Sequence, residues 1–517
     1  MSHADEFLWG VATSAYQAEG GYNGPEQPVT NWWLSEQKGD VSVTGITADF
    51  WNRYEEDFAR CQELGLSAFR MGIEWSRVQP SFKRSPGKPE PGDPTINAPP
   101  PFDFSALDHY VEMFSACQRH GLEPVVTLHH FVHPVWLGTD PWLDSRTPAL
   151  FAKYVHTAVS YLNERLERPL QWFITINEPN MLVLNSYFGH QFPSRAPSGF
   201  RTMTAAYNQL LRAHIEAYNT LHDLYAEHGW PEPRISVNNY CSDMYWSDKL
   251  QLDLLCARER GVPRHQVGNY ICDHAREFDC AFRKARLPLH RDISYYFGAI
   301  VKRVSNWLGY RNFNASDFAP LLETLYASPR ARVLDYIGLD YYDPFAAHIF
   351  RFPVLWDHEF KNKSFRSWVL ATVTSKWWDW RVLPRGLHFF CKYYASDFGR
   401  PVLIAENGMA LRRRKDNRSS GRRDRMRRSD FLRLHVHEVV KIVNDGIPLM
   451  GYLHWSLFDN YEWGSFTPRF GLYSLNYEKG TDRLVEDHTG DRPSETYAAL
   501  VKTAREKMRK HAEAVVV

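Results

Sequence analysis

The chain has 517 residues, apolar residues at 44%, charged residues at 23% and a formal net charge of +1. That balance describes an ordinary globular protein and gives no electrostatic bias toward nucleic acid or an anionic membrane. Aromatics are the exception, at 15% with 18 Trp, which suits a large core or clefts that stack against rings and sugars. Seven Cys in no framework spacing favour a reducing compartment. "MSHADEFLWG" lacks the basic-then-apolar run of a signal peptide, and no apolar stretch nears a membrane-spanning length. A cytoplasmic protein with neither a nucleic-acid nor a membrane partner is expected.

In chain order, strand-like segments are "FLWGVATSA" (7–15), "AFRMGIEW" (68–75), "EPVVTLHHF" (123–131) and "QWFITINEP" (171–179). They are followed by "RISVNNY" (234–240), "DYIGLDYY" (335–342), "PVLIAENGM" (401–409) and "LMGYLHWSLF" (449–458). Between them run amphipathic helices. In 49–65, Phe50, Tyr54, Phe58 and Cys61 recur at three- and four-residue steps. Segments 104–121 and 430–446 each end in a helix-stopping Gly. Alternating strands and helices predict a parallel sheet, and eight such units predict an α/β fold, a (β/α)8 TIM barrel with long rim loops. A single domain is expected over 1–517, with an extended connection between the fifth and sixth strands at 241–334.

The strands share a polar C-terminal end: Glu74-Trp75, His129-His130, Asn177-Glu178, Asn238-Asn239, Asp340-Tyr341-Tyr342, Glu406-Asn407 and Trp455. Any one of these could simply meet solvent. Repeated around a barrel they mark the rim where the active site of such folds lies. Glu178 closes the fourth strand and Glu406 the seventh. Cleavage of a glycosidic bond requires two carboxyls across a pocket: one keeps its proton for the leaving oxygen, and the other is ionised. Pro179 directly after Glu178 is expected to stop the strand and free the backbone for a rim loop.

The motifs "FLWGVATSAYQAEGG", "FRMGIEWSRVQP", "TLHHFVHPVW", "TINEPN", "YIGLDYY", "IAENGM" and "GYLHWSLFDNYEWGSFTPRFGLY" follow one another along nearly the whole chain. In this series the sequence resembles glycoside hydrolase family 1, the β-glucosidase family. The resemblance implies that Glu178 is the acid/base and Glu406 the nucleophile, with Arg70 and Tyr342 hydrogen-bonded to Glu406. It implies that Gln17, His130 and Asn177 bind hydroxyls of the non-reducing-end sugar. Glu462 and Trp463 would grip the outer hydroxyls, and Trp455 would form the aromatic floor. Arg70 and Tyr342 are expected to lower the pKa of Glu406, while apolar surroundings and Glu406 raise that of Glu178. A carboxyl separation of about 5 Å and retention of configuration are expected, with no cofactor and no metal.

The implied substrate is a small-molecule β-glycoside or oligosaccharide, glucose first, with galactose and fucose tolerated. Relatives that take 6-phosphorylated sugars lack an acid at the position of Glu462, so a neutral sugar is expected. A transglycosylase using the same residues, or a non-catalytic sugar-binding relative, are the alternatives. The sequence departs from the family pattern in places. Asp340 stands where many relatives have Asn, which would put a third carboxylate beside the pair and shift the pH optimum. Phe131, Val132 and His133 replace familiar neighbours of His130. The segment after Trp463 is one residue short, and Phe466 is the candidate for an aromatic wall there.

Three further segments have plainer readings. The Arg-rich stretch 411–428 reads as a solvated, mobile rim loop, with an anion or acidic-partner site as the alternative. Cys272, His274 and Cys280 fit no common zinc spacing and are expected to be buried packing residues. The proline-rich stretch 83–101 reads as an irregular rim loop.

Overall fold

In the computed structural model, described for residues 6–81, 98–189, 193–350, 377–477 and 480–516, all eight expected strand segments lie in one parallel sheet. They are β1 (Leu8–Ala12), β2 (Ala68–Gly72), β3 (Glu123–Thr127), β4 (Trp172–Ile174), β5 (Arg234–Ser236), β6 (Asn238–Tyr240), β7 (Ile337–Asp340), β8 (Val402–Asn407) and β11 (Leu449–Trp455). The spatial order is β5-β4-β3-β2-β1-β11-β8-β7-β6. Its two ends, β5 and β6, are halves of one segment interrupted at Val237. β5 pairs with β4 and β6 with β7. The sheet therefore curls into a barrel whose seam is a single residue wide, and the expected (β/α)8 fold is present.

The strands are apolar on both faces because both faces are covered. In β2, Ala68 joins the inner cluster with Val125, Trp172, Ile174, Leu403 and Leu453, whereas Phe69 and Met71 belong to the outer core. That outer core receives Phe50, Phe58 and Cys61 from the helix Phe50–Glu63 and Leu107, Tyr110 and Phe114 from the helix Phe104–Arg119. Asp103 caps the second of these helices by accepting from the amides of Ser105 and Ala106.

Between β6 and β7 the chain builds the helices Leu250–Cys256, Val267–Lys284, Ile293–Asn312 and Ala319–Ala327. Cys272 and Cys280 are only half-buried there, contrary to the packing role expected for them. His274 instead faces Asp253 at 3.3 Å, within a group that includes Lys249, Arg260 and Asp397.

The Arg-rich stretch differs from expectation in part. It forms β9 (Leu411–Arg413) and β10 (Ser419–Ser420), which join β12 (Pro468–Arg469) in a small antiparallel sheet. Arg422 is buried and donates to the carbonyls of Trp378 and Trp380. Arg428, also buried, donates to the Arg469 carbonyl at 2.7 Å. These two guanidiniums satisfy backbone acceptors, whereas Arg414, Lys415, Arg418, Arg423, Arg425 and Arg427 are exposed, so the stretch is a solvated loop only in part. Of the proline-rich stretch, residues 82–97 lie outside the described residues.

A buried ion pair ties the C-terminal segment to the first long helix. Arg483 reaches both oxygens of Asp57, at 2.8 and 2.5 Å, and both side chains are fully buried. Asp57→Asn leaves a buried guanidinium unpaired and is expected to cost about 3 kcal/mol. The measurement is urea denaturation followed by tryptophan fluorescence, and an unmoved midpoint would contradict it.

Candidate active site

The C-terminal mouth of the barrel opens into a cavity of about 630 Å³. Glu178, Glu406 and Tyr342 line it, as do the sugar-binding candidates Gln17, His130, Asn177, Trp455, Glu462 and Trp463. Arg70 and Asp340 lie directly behind, with no exposed surface.

Arg70 organises the floor. It sits at an inward position of β2, and all its nitrogens are engaged. Nε donates to Thr127 Oγ1 at 2.9 Å, Nη2 to Asn177 Oδ1 at 2.6 Å, and Nη1 to Glu406 Oε1 at 2.6 Å. Nη1 also takes the Ala405 carbonyl at 3.2 Å. That last bond reflects an irregularity in β8. Against β7, Leu339 pairs with Ile404 but Asp340 pairs with Glu406; against β11, Tyr452 pairs with Ile404 and His454 with Asn407. β8 thus carries an extra residue at a bulge. Leu403 and Ala405 face the barrel interior, so strict alternation would turn Glu406 outward. The bulge turns it inward. Tyr342 then donates to its other oxygen, Oε2, at 2.7 Å.

Glu178 is positioned differently from what Pro179 suggested. β4 ends at Ile174, and the next residues still bond to their neighbours: Thr175 N to Ser236 O at 2.9 Å and Asn177 N to His129 O at 2.8 Å. Pro179 does not release a loop; it opens the helix Pro179–Leu182 at its first position. Glu178 forms the corner between strand and helix, in the left-handed region at φ 38°, ψ 60°. For a non-glycine residue this conformation costs on the order of 1–3 kcal/mol and is held only by its surroundings.

Carboxylate oxygens of Glu178, Asp340 and Glu406 all lie within 4.8 Å of one another. They are the only grouping of acids in the cavity among the described residues that could converge on a cation, and the cation set against them is Arg70. One guanidinium cannot offset three buried negative charges, so the group must retain protons. Burial pushes all three carboxyls upward. For Glu178, the charges of Asp340 and then Glu406 add to burial and hold it well above the usual carboxylate range. For Glu406, Arg70 and Tyr342 oppose burial without outweighing it, so its pKa rises rather than falling as expected. Glu406 alone has a guanidinium and a phenol in direct contact, which makes it the acid of the three that ionises first. The site therefore sets a protonated carboxyl beside an ionised one.

Asn238 was not singled out as a site residue. Its Nδ2 bridges Asn177 Oδ1 and Asp340 Oδ1, both at 3.0 Å. Its one sequence signal was its place at a polar strand end. Asn177 in turn offers Nδ2 to His130 Nε2 at 3.3 Å. Burial keeps the His130 ring neutral, and Arg70 reinforces this.

At the other end of the cavity, Glu462 accepts from Trp455 Nε1 at 2.7 Å and from Gln17 Nε2 at 3.1 Å, and burial pushes its pKa up to about 8. His130 stacks on Trp455, with centroids 5.8 Å apart and planes 13° from parallel. Phe131 packs on Trp463 at 4.5 Å. His133 is buried and neutral, its pKa lowered to about 3 by burial. Phe466 packs on Tyr461 and Tyr477 and does not line the cavity. Phe470 does, with its edge against Tyr342 at 5.7 Å.

A parallel barrel carrying such a carboxyl pair on its C-terminal rim has the form of a glycoside hydrolase. The chain matches Glycosyl hydrolase family 1 over residues 2–490 and belongs to that family. It is 27% identical to β-glucosidase A of Thermotoga maritima, over 93% of this chain and 94% of that one. It is 26% identical to 6-phospho-β-galactosidase 1 of Streptococcus pneumoniae, over 92% and 94%. It is 24% identical to a β-galactosidase of Sulfolobus acidocaldarius, over 92% and 91%. The solved structure of the Thermotoga maritima β-glucosidase in complex with glucoimidazole superimposes with a TM-score of 0.65 at 22% identity, over 97% of this chain and 98% of that one, a likeness of fold.

Asp340 is the second cause, after burial, of the raised Glu178 pKa. Asp340→Asn removes that negative charge, so Glu178 loses its proton at lower pH. The alkaline limb of the kcat/KM profile is expected to move about one pH unit toward acid. Superimposable profiles for the two proteins would refute the coupling.

Proposed function

We propose that the protein is a retaining β-glycosidase that releases non-reducing terminal β-D-glucosyl residues, with galactosyl and fucosyl residues also accepted. The observation that carries this reading is the approach of Glu178 and Glu406 oxygens to within 4.8 Å. That approach fits the spacing of about 5 Å found in retaining enzymes, where one carboxylate attacks carbon itself.

In the first step a Glu406 oxygen forms a bond to the anomeric carbon while the bond to the leaving oxygen breaks. The Glu178 proton passes to that oxygen. In the second step a water oxygen bonds to the anomeric carbon from the side the leaving group left, Glu178 takes the water's proton, and the bond to Glu406 breaks. Arg70 and Tyr342 hold Glu406 in line for attack and stabilise its charge when it departs. Gln17, His130, Asn177, Glu462 and Trp463 receive the sugar hydroxyls, and Trp455 supplies the apolar face beneath the ring. The pathway calls for no cofactor or metal.

Neutral sugars are favoured by the charge of the cavity. Glu462, its pKa pushed up to about 8, offers a phosphate no positive charge, and His130 is neutral. Arg422, the charged Arg or Lys lining the cavity among the described residues, is spent on the Trp378 and Trp380 carbonyls and on Asp424. The seven free thiols support a cytoplasmic setting. No described helix is long and apolar enough to cross a membrane. The chain is read as one catalytic domain.

Two measurements test this. The first is proton NMR of the earliest product from an aryl β-glucoside, where the β-anomer is expected; an α-anomer appearing first would exclude the double displacement. The second is activity of variants. Glu406→Ala is expected to lower kcat on the order of 10⁵-fold, and Glu178→Gln about 10²- to 10⁴-fold. Turnover near wild type in Glu406→Ala would remove this residue from the mechanism.

A further inference from the structure

Beyond the carboxyl pair the cavity changes character. The sugar end presents Gln17, His130, Asn177 and Glu462, whereas the outer lobe is walled by side chains such as Leu184, Phe188, Met203, Met244, Trp246 and Leu308. Several polar groups in that lobe are already committed. Tyr207 donates to Gln251 at 3.0 Å, Ser242 and Ser247 each donate to Asp248 at 2.6 Å, and Arg422 caps carbonyls as described.

One wall of this lobe is the helix Ile293–Asn312. Asp292 caps it by accepting from Tyr295 N at 3.1 Å. A Cβ on Gly309 would sit within the Trp246 indole, and one on Gly298 would press on Phe350, so both glycines let the helix settle directly onto rings. Lys302 reaches Asp243 at 3.0 Å and Asp279 at 3.2 Å.

The outward side should then be polar, and it is not. Ile293, Tyr296, Phe297, Ile300, Val304 and Trp307 recur at three- and four-residue steps and are 43–88% exposed. Scattered exposed apolar residues are normal, but a stripe of them marks a binding surface. This stripe joins the cavity, because Ile300 and Val304 belong to both.

We propose that the stripe and the outer lobe form one binding surface for an apolar leaving group: the substrate is a β-glycoside of a long-chain or fused-ring alcohol, not an oligosaccharide. This rests on the glycosidase reading above and narrows its substrate class. A second sugar in the lobe would exchange water for aliphatic and aromatic walls and lose its hydrogen bonds. An alkyl chain makes the same exchange favourably. The stripe continues that surface past the mouth, where the end of a chain longer than the cavity emerges.

The test is kcat/KM for n-propyl to n-octyl β-D-glucosides below micelle-forming concentrations, beside cellobiose. The leaving alcohols differ little in acidity, so the series isolates burial. The expected result is a rise of up to about fourfold per methylene, with octyl glucoside at least a hundredfold above propyl and above cellobiose. Ile300→Ser combined with Val304→Ser is expected to cut the octyl-to-propyl ratio about tenfold, and Ile300→Leu with Val304→Leu to keep it. A flat series, or a preference for cellobiose, overturns the apolar-aglycone assignment while leaving the glycosidase reading intact. Failure to cleave any of these compounds or aryl β-glucosides overturns both.

Discussion

A guanidinium sealed inside a barrel is the constraint on which this site depends. Arg70 lies at full burial, where an unpaired charge would cost several kcal/mol. Its surroundings must therefore supply acceptors at fixed places, and they do so from β2's neighbours on one side and from the more distant β8. Satisfying this one residue draws Thr127, Asn177, Ala405 and Glu406 to a common centre. Asn177 and Asn238 then pass the order on to His130 and Asp340. The same charge is the main force opposing burial at Glu406. Structural necessity and chemical activation are one interaction here.

Regular secondary structure alone would not deliver either carboxyl to the cavity. Glu406 depends on the extra residue in β8, whose freed carbonyl Arg70 takes up. Glu178 depends on a left-handed corner that a side chain tolerates only under restraint. Both carboxyls sit at deviations from ideal geometry.

The fold was legible because its strands are apolar runs separated by helices of clear period, with caps such as Asp103 and stops such as Gly121. The break at Val237 was not, since nothing in "RISVNNY" distinguishes one strand from two. The candidate pair and the candidate sugar-binding residues come from motif resemblance, and the structure places all of them except Phe466 at the cavity or directly behind it. Phe466 and Phe470 lie in a stretch without periodicity, where spacing cannot say which ring faces inward. In the Arg-rich stretch composition reports charge but not what it bonds: six basic residues are exposed as a solvated loop requires, while Arg422 and Arg428 are consumed by backbone carbonyls. The net direction at Glu406 was missed for a related reason. Sequence reveals the partners Arg70 and Tyr342, while the opposing burial exists only once the barrel has closed.

The helix Ile293–Asn312 carries none of the groups that hold the carboxyls; it is anchored through Gly298, Lys302, Asn306, Gly309 and Tyr310. The carboxyls and the proposed leaving-group surface thus lie on separate stretches of the polypeptide. On that proposal, a substitution on the exposed stripe alters which alcohol is accepted while the hydrogen bonds that hold the carboxyls stay as they are.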